Sequence, residues 1–396
     1  MKNFRFATAF LAILLLALLH LSCGTSGTGT ESGVSTSPEI PIMVKSKEAT
    51  LEQLWHARAE GDAVERCVAW ILDKAGQAKG EVLAGEYKIS VALTAPEGFY
   101  ELKNNTAVWN NPSKANAHLW VFVQDGADNR IVPPLEINAQ LLDEKGNIIL
   151  NTPMPFVWTP MLNGYGRNVT LSSGKNITIK LNIAPPRFRR HDQINGERFT
   201  KPVVAFVTIP VNLSRISNSQ ALSSLMENDE SLAGASGQAY LKALRVMYSQ
   251  ANDGRNIIAG DYVVAYAIEY AEGYWSYDKN GDFQYSNAQN EKANSHIDLA
   301  VLDKKTGRFL FNLNVKATLY DGTGKEIGTH AEPFNWHPWL YHYGENWRVP
   351  NNAKAYRLHI HFDPPSYRRY GRRDGRQFTS PVDMDFSNVE IKTGQK

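Results

Sequence analysis

The sequence predicts a mainly β chain of two homologous antiparallel β-sandwich domains, each preceded by a helix. Two observations carry this prediction. The second half of the chain is a rewritten copy of the first, and in each half a helical spacing of apolar residues gives way to short strands of period two. Ala84-Gly85-Glu86-Tyr87 is echoed by Ala259-Gly260-Asp261-Tyr262, and Pro96-Glu97-Gly98-Phe99-Tyr100 by Ala271-Glu272-Gly273-Tyr274-Trp275. Lys114 to His118 returns as Lys292 to His296, Tyr165-Gly166 as Tyr343-Gly344, and Phe199-Thr200-Lys201-Pro202-Val203 as Phe378-Thr379-Ser380-Pro381-Val382. The offset drifts only slightly, with small gaps between the matched strings. A period this long is a whole folding unit, because solenoids and propellers repeat every ~20 to 50 residues.

The elements follow in order. Lys2 and Arg5, an apolar run from Ala7 to Leu19 and then Leu21-Ser22-Cys23-Gly24 read as a secretory signal over residues 1–23 with a lipoprotein-type cleavage site, which makes Cys23 the lipidated first residue of the mature chain. The run is short for a membrane span of about 20 residues. Residues 24–47 follow as a flexible tether, rich in Gly, Ser and Thr as far as Pro41. With Cys23 lipidated, only Cys67 remains of the two cysteines, so an exported chain has no intrachain disulfide and must be held by its core. At 43% hydrophobic and 11% aromatic residues the composition supplies one. The formal charge of +2 gives no footprint for nucleic acid.

Residues 48–213 form the first domain. Its helix runs from Glu48 to Ala75 through Leu51, Leu54, Val64, Val68 and Ile71, with Gly61 as a possible break. Strands are expected at Tyr87–Leu93, His118–Val123, Leu135–Leu142, Ile177–Ile183 and Val203–Val211. Residues 214–234 are a linker. The second domain, residues 235–396, repeats the plan with a helix from Ala235 to Gln250 and strands at Tyr262–Tyr270, His296–Leu302, Phe311–Tyr320, Tyr356–Phe362 and Val382–Val389. Short strands divided by turns, without a second helical layer, indicate immunoglobulin-like sandwiches.

Histidine is the main chemical clue. Six of the ten lie in the second domain, at positions 296, 330, 337, 342, 359 and 361, and imidazole is the commonest biological metal ligand. Phe334 to Gly344, interrupted by Pro338, reads as a loop presenting His337 and His342 to a site, or else as an aromatic packing or sugar-binding loop. His296 and Asp298, two apart on a strand, share one face and suit a metal with mixed nitrogen and oxygen ligands, or simply pair with each other. His359 and His361 have the same spacing but read as solvated surface or satisfied core. The basic runs Arg187 to Arg190 and Arg368 to Arg373 read as solvated turns, with contact to an acidic partner or a phospholipid head group as the other reading. No nucleophile elbow or paired-carboxylate signature appears, so no enzymatic activity is expected.

Taken together, the Ala-Gly-acid-Tyr entry, the His-x-acid strand, the Pro-containing loop ending in His-Tyr-Gly, the Pro-Pro segment before a basic loop, and the Phe-Thr-x-Pro-Val strand start resemble bacterial periplasmic iron-transport accessory proteins. These are metal-binding lipoprotein or periplasmic immunoglobulin-like sandwiches, and here the unit is tandemly duplicated. The resemblance implies a site of three histidines, a methionine and a glutamate. His118 and His296 match the first histidine; Asp298 matches the glutamate, where the first domain has Trp120. His342 matches the loop histidine against Gly164, Met161 the methionine against Trp339, and His191 the last histidine against Tyr370. Each domain then keeps a partial set, His118, Met161 and His191 in one and His296, Asp298 and His342 in the other, with His337 as a further ligand. The first suits Cu(I); the second suits Fe(II), Mn(II), Zn(II) or Cu(II).

The resulting expectation is a periplasmic or surface-anchored protein that binds a transition metal, iron or copper, and aids its uptake. An inner-membrane metal permease is the partner the resemblance implies, the lipid anchor provides the membrane contact, and an intrachain pseudo-dimer of the two facing repeats is a further expectation. The alternative is a metal-free duplicated sandwich serving as a protein- or carbohydrate-binding module.

Overall fold

The computed structural model describes residues 42–394 except 113, 173–174, 290–291 and 351–354. The leader, Cys23 and the tether up to Pro41 lie outside the described residues. Thr50 opens the first long helix, Leu51–Ala75: its hydroxyl accepts the Gln53 N–H while the Gln53 side chain accepts the Thr50 N–H. Gly61 does not break this helix. A Cβ there would lie 1.6 Å from the Asp128 carbonyl oxygen, so the missing side chain is what lets the helix seat against that turn. Gly237 plays the same part in the second long helix, Glu230–Gln250, 2.0 Å from the Thr306 carbonyl. The two long helices pack against each other, and the Gln53 amide donates to Gln250 across them.

The second helix starts five residues earlier than its apolar spacing suggests, and the segment read as a linker also carries two short helices, Leu213–Ser217 and Leu222–Met226. Ile216, Leu222 and Met226 are buried, which is why this segment is ordered. The last residues of the tether are likewise docked. Val44 exchanges two hydrogen bonds with the Asn195 side chain, and the Ser46 hydroxyl donates to Asp192.

The β architecture is mainly antiparallel and present twice, each copy pairing an eight-stranded with a four-stranded sheet in the same order. The strands expected from period two are present, with ends shifted by a few residues. In the first copy the large sheet begins Lys79–Ala84, Tyr87–Thr94, Ala117–Asp125, Asn163–Val169 and Phe156–Trp158, and it ends Phe99–Lys103 and Thr106–Asn110. Between Phe156–Trp158 and Phe99–Lys103 sits Arg368–Tyr370, a strand from the second repeat. Arg369 pairs with Tyr100 on one side and, in parallel, with Trp158 on the other. The exchange is reciprocal. Arg189–His191 from the first repeat enters the second large sheet between Phe334–Trp336 and Tyr274–Tyr277, with His191 opposite Tyr274 and Arg190 opposite Trp336.

The basic runs are therefore solvated turns only in part: Arg187, Arg372 and Arg373 are exposed, whereas Arg189–His191 and Arg368–Tyr370 are strands. Arg190 and Arg369, the central residues of the exchanged strands, are fully buried. Such a charge needs polar partners. Arg190 donates to the carbonyls of Phe188 and Pro186, and Arg369 to those of Pro365, Gly375 and Phe378. Further buried arginines tie the repeats together: Arg130 donates to the carbonyls of His337 and Pro338, and Arg308 to that of Thr159. One apolar core runs through both copies, from Leu93 and Val121 through Phe156 to Phe311, Tyr341 and Leu358.

Because each large sheet is completed by the other repeat, the two should unfold together. Calorimetry should show a single transition, and a fragment of residues 48–213 should fail to fold. Gly61→Ala should cost about 1–3 kcal/mol through overpacking despite its higher helix propensity, read from urea midpoints.

Candidate metal centre

The strand exchange carries His191 into the second repeat and sets it beside His296 and His342. One ligand nitrogen from each lies within 4.8 Å of the other two. The partition of ligands expected from sequence is thereby corrected: His191 completes the second-repeat set and does not join His118 and Met161. His296 and Asp298 project from one face of Ser295–Asp303, and His342 comes from the neighbouring strand Tyr341–Trp347, where Asp298 pairs with Gly344. All four side chains are almost wholly buried. Gly344 is required here, since a Cβ would lie 2.8 Å from His296 Nε2 and 3.0 Å from the His342 ring.

Two of the tautomers follow from the hydrogen bonds. The Asn346 amide is oriented by the Glu272 backbone, donating to its carbonyl at 2.8 Å and accepting its N–H at 3.2 Å. Its oxygen therefore also accepts from His296 Nδ1 at 2.9 Å, leaving Nε2 as a lone-pair donor to the site. His191 Nδ1 donates to the Gly273 carbonyl at 2.9 Å, so its Nε2 is again the available ligand atom. The backbone turn at Glu272-Gly273 thus positions two histidines from different repeats.

Asp298 is the carboxylate of the set. Its Oδ1 lies 3.3 Å from His296 Nε2 and 3.0 Å from His342 Nε2. Burial disfavours a charged His296, but the Asp298 charge and hydrogen bond outweigh it and raise its pKa. His342 is held well below the usual histidine range, first by burial and then by repulsion from the imidazoles of His191, His296 and His337. Three cationic rings are not tolerated at this spacing, even with the Glu272 carboxylate 3.3 Å from His191 Nδ1 in addition to Asp298. A neutral imidazole such as His342 is the form that can ligate a divalent cation.

The site opens into a cavity of about 240 Å³ lined by Glu48, Glu269, Glu272, Asp298, Met247, His337 and His342, among others. His337 is itself buried, with its ring centre 5.8 Å from that of His191, and it groups with Glu48 and Glu272. Sequence reading missed Glu272, Glu48 and Asn346. The signal for Glu272 was present, as the acid of a string echoed at Glu97 and buried in both copies. Glu48 carried no cue, because the docking of the segment before the helix is a tertiary event.

The aromatic run from Phe334 to Gly344 is not an open loop. It forms the strands Phe334–Trp336 and Tyr341–Trp347, and Trp336, Trp339, Tyr341 and Tyr343 are buried. His330 stacks on Trp347, and His359 and His361 pair with Asp385 and Asp383 at the sheet surface.

In the first repeat the corresponding place is filled with apolar side chains. His118 keeps its link to Asn168 at 2.9 Å but is packed between Trp120 and Tyr370, with ring centres 4.3 and 5.2 Å away. Burial lowers its pKa to about 3 and keeps it neutral. Met161 is in the same apolar cluster, and Phe122 blocks Gly164, whose Cβ would lie 2.7 Å from that ring. Glu97, equivalent to Glu272, turns instead to Ser223, accepting its hydroxyl at 2.6 Å. Burial raises its pKa from 4.5 to about 7, and the Ser223 hydrogen bonds only partly oppose the rise.

No protein-family model matches the chain. No curated protein matches it either. Among solved structures, a copper-bound single-site variant of FetP from uropathogenic Escherichia coli strain F11 aligns at 20% identity over 37% of this chain and 95% of its own, with a TM-score of 0.30. FetP from the same strain, as isolated after recombinant expression in the periplasm, aligns at 19% identity over 34% and 97%, with a TM-score of 0.27.

A carboxyl whose pKa is higher in the folded chain favours folding at low pH and loses that advantage as pH rises from 4.5 towards 7. Relative to Glu97→Gln, the wild-type protein should therefore lose stability between pH 5 and pH 8. Paired urea melts of the two proteins test this; parallel curves would show that Glu97 does not titrate there.

Proposed function

We propose that this chain is an exported transition-metal-binding protein that holds one ion at His191, His296 and His342 with Asp298 as the carboxylate, and that it aids iron or copper uptake. The observation that carries the reading is the convergence of three buried imidazoles, two with their tautomers set, on one point beside an acidic cavity. Nitrogens bound to one ion at about 2.0–2.1 Å sit roughly 3.3 Å apart in a tetrahedral site, so closure over an ion requires ring shifts on the order of 1 Å. Three imidazoles with a carboxylate suit Fe(II), Cu(II) or Zn(II). Cu(I) becomes less favoured than the sequence suggested, since Met161 is elsewhere.

The role is capture or relay rather than catalysis, at a membrane face to which lipid on Cys23 holds the protein, with an inner-membrane permease receiving the ion. No described helix is long and apolar enough to cross a membrane. The alternative of a carbohydrate-binding module loses its support, because the aromatic side chains that would form the platform are buried.

Purified protein dialysed against Fe(II), Cu(II) and Zn(II) should retain stoichiometric metal by mass spectrometry. His191→Ala should abolish retention as completely as His296→Ala or His342→Ala, although it lies in the other repeat. A wild-type chain that retains no metal would defeat the reading.

A further inference from the structure

We propose that a cavity under the segment joining the two repeats, distinct from the histidine cluster, binds a single-chain anionic amphiphile: one carboxylate or phosphate head on an apolar tail. The cavity measures about 300 Å³, at the small end of the ~300–1,000 Å³ range of ligand pockets. Its apolar lining is Ala78, Leu93, Val211, Ile216, Leu222 and Leu225. Three cationic side chains, Lys74, Lys175 and Arg215, complete it, and no acidic residue lines it. Asp73, outside the lining and 3.8 Å from Lys74 Nζ, offsets one of those charges.

The floor and the rim differ in what they can bind. Ala78, Leu93 and Val211 are buried side chains of the first repeat, and Ile216, Leu222 and Leu225 come from the two short linker helices. The backbone of this wall is already paired: the Leu93 N–H donates to the Ala78 carbonyl and the Val211 N–H to that of Lys175, both at 2.8 Å. An extended peptide would bring a donor and an acceptor at each residue that such a floor cannot pair, whereas an acyl chain brings none. The cations stand in water at the rim. Arg215 lies over Gly76, where the first long helix ends, its Nη2 3.2 Å from the place of a Gly76 Cβ. The negative end of the helix favours a cation there, and among the described residues the guanidinium has no ion-pair partner. Guanidinium and ammonium groups match a carboxylate or phosphate head.

A bound tail would lie between the first repeat and the linker. Ser223, beside Leu222, already ties that linker to Glu97 through its N–H and its hydroxyl. Ordering of residues 213–226 and occupancy of the cavity are then linked, each favouring the other by the same factor.

The site does not depend on the metal reading, and its test involves no metal. In titration calorimetry of the full chain, decanoate or decyl phosphate should show saturable binding of one molecule per chain, and the preferred head distinguishes a fatty acid from a phospholipid-derived source. Decyl glucoside, a tail without charge, and acetate, a charge without a tail, should each bind more weakly by about tenfold or more. The bound anion should slow hydrogen exchange in residues 213–226. The double variant Lys175→Gln, Arg215→Gln should keep the melting temperature of the free protein and weaken the anion by about tenfold or more. Should it melt lower, Lys175→Gln alone, at an exposed position, should still weaken binding. Absence of saturable binding by both anions, equal affinity for decyl glucoside or acetate, or unchanged affinity in the charge variants would each overturn the site.

Discussion

The rest of the structure depends on two three-residue strands crossing between the repeats. Arg368–Tyr370 and Arg189–His191 each occupy an interior position of the other repeat's sheet, so their backbone groups are paired on both sides. The crossing forces Arg190 and Arg369 into the interior, where neighbouring carbonyls must satisfy them. It also decides which histidines can meet. A ligand at the end of an exchanged strand reports to the other repeat's site, and the equivalent position of the other exchanged strand carries Tyr370.

That one difference accounts for much of the contrast between the two sites. Where His191 arrives, it meets His296, His342 and Asp298 around a polar cavity. Where Tyr370 arrives, it meets His118, Trp120 and Met161 in an apolar cluster. The hydrogen-bond frame of Asn168 and Glu97 survives in the apolar copy, matching Asn346 and Glu272 in the polar one. A shared frame with different side chains at four positions is enough to make one pocket polar and the other dry.

Much of the fold was legible, because internal repetition and period-two strands are local signals. Asn176–Ile183, for example, reads directly from alternating apolar residues, and Tyr262–Glu269 from a short apolar run. The exchanged strands were not legible. Three residues are too few for a period, and their sequence of arginines resembles a solvated turn. The site was legible by residue type at His296, Asp298 and His342, and in part at His191, whose identity was marked but whose destination was not. Gly61 shows the same limit: its close approach to Asp128 is a contact between distant segments, so the residue reads locally as a break.

The covalent link between the repeats has a further bearing on the histidine cluster. A site whose ligands came from two separate chains would fall apart on dilution, its occupancy tied to the monomer–dimer equilibrium. Here His191 is delivered by the same polypeptide that carries His296 and His342, so its effective concentration is set by chain geometry and not by expression level. The three histidines therefore stay together even when the protein is scarce.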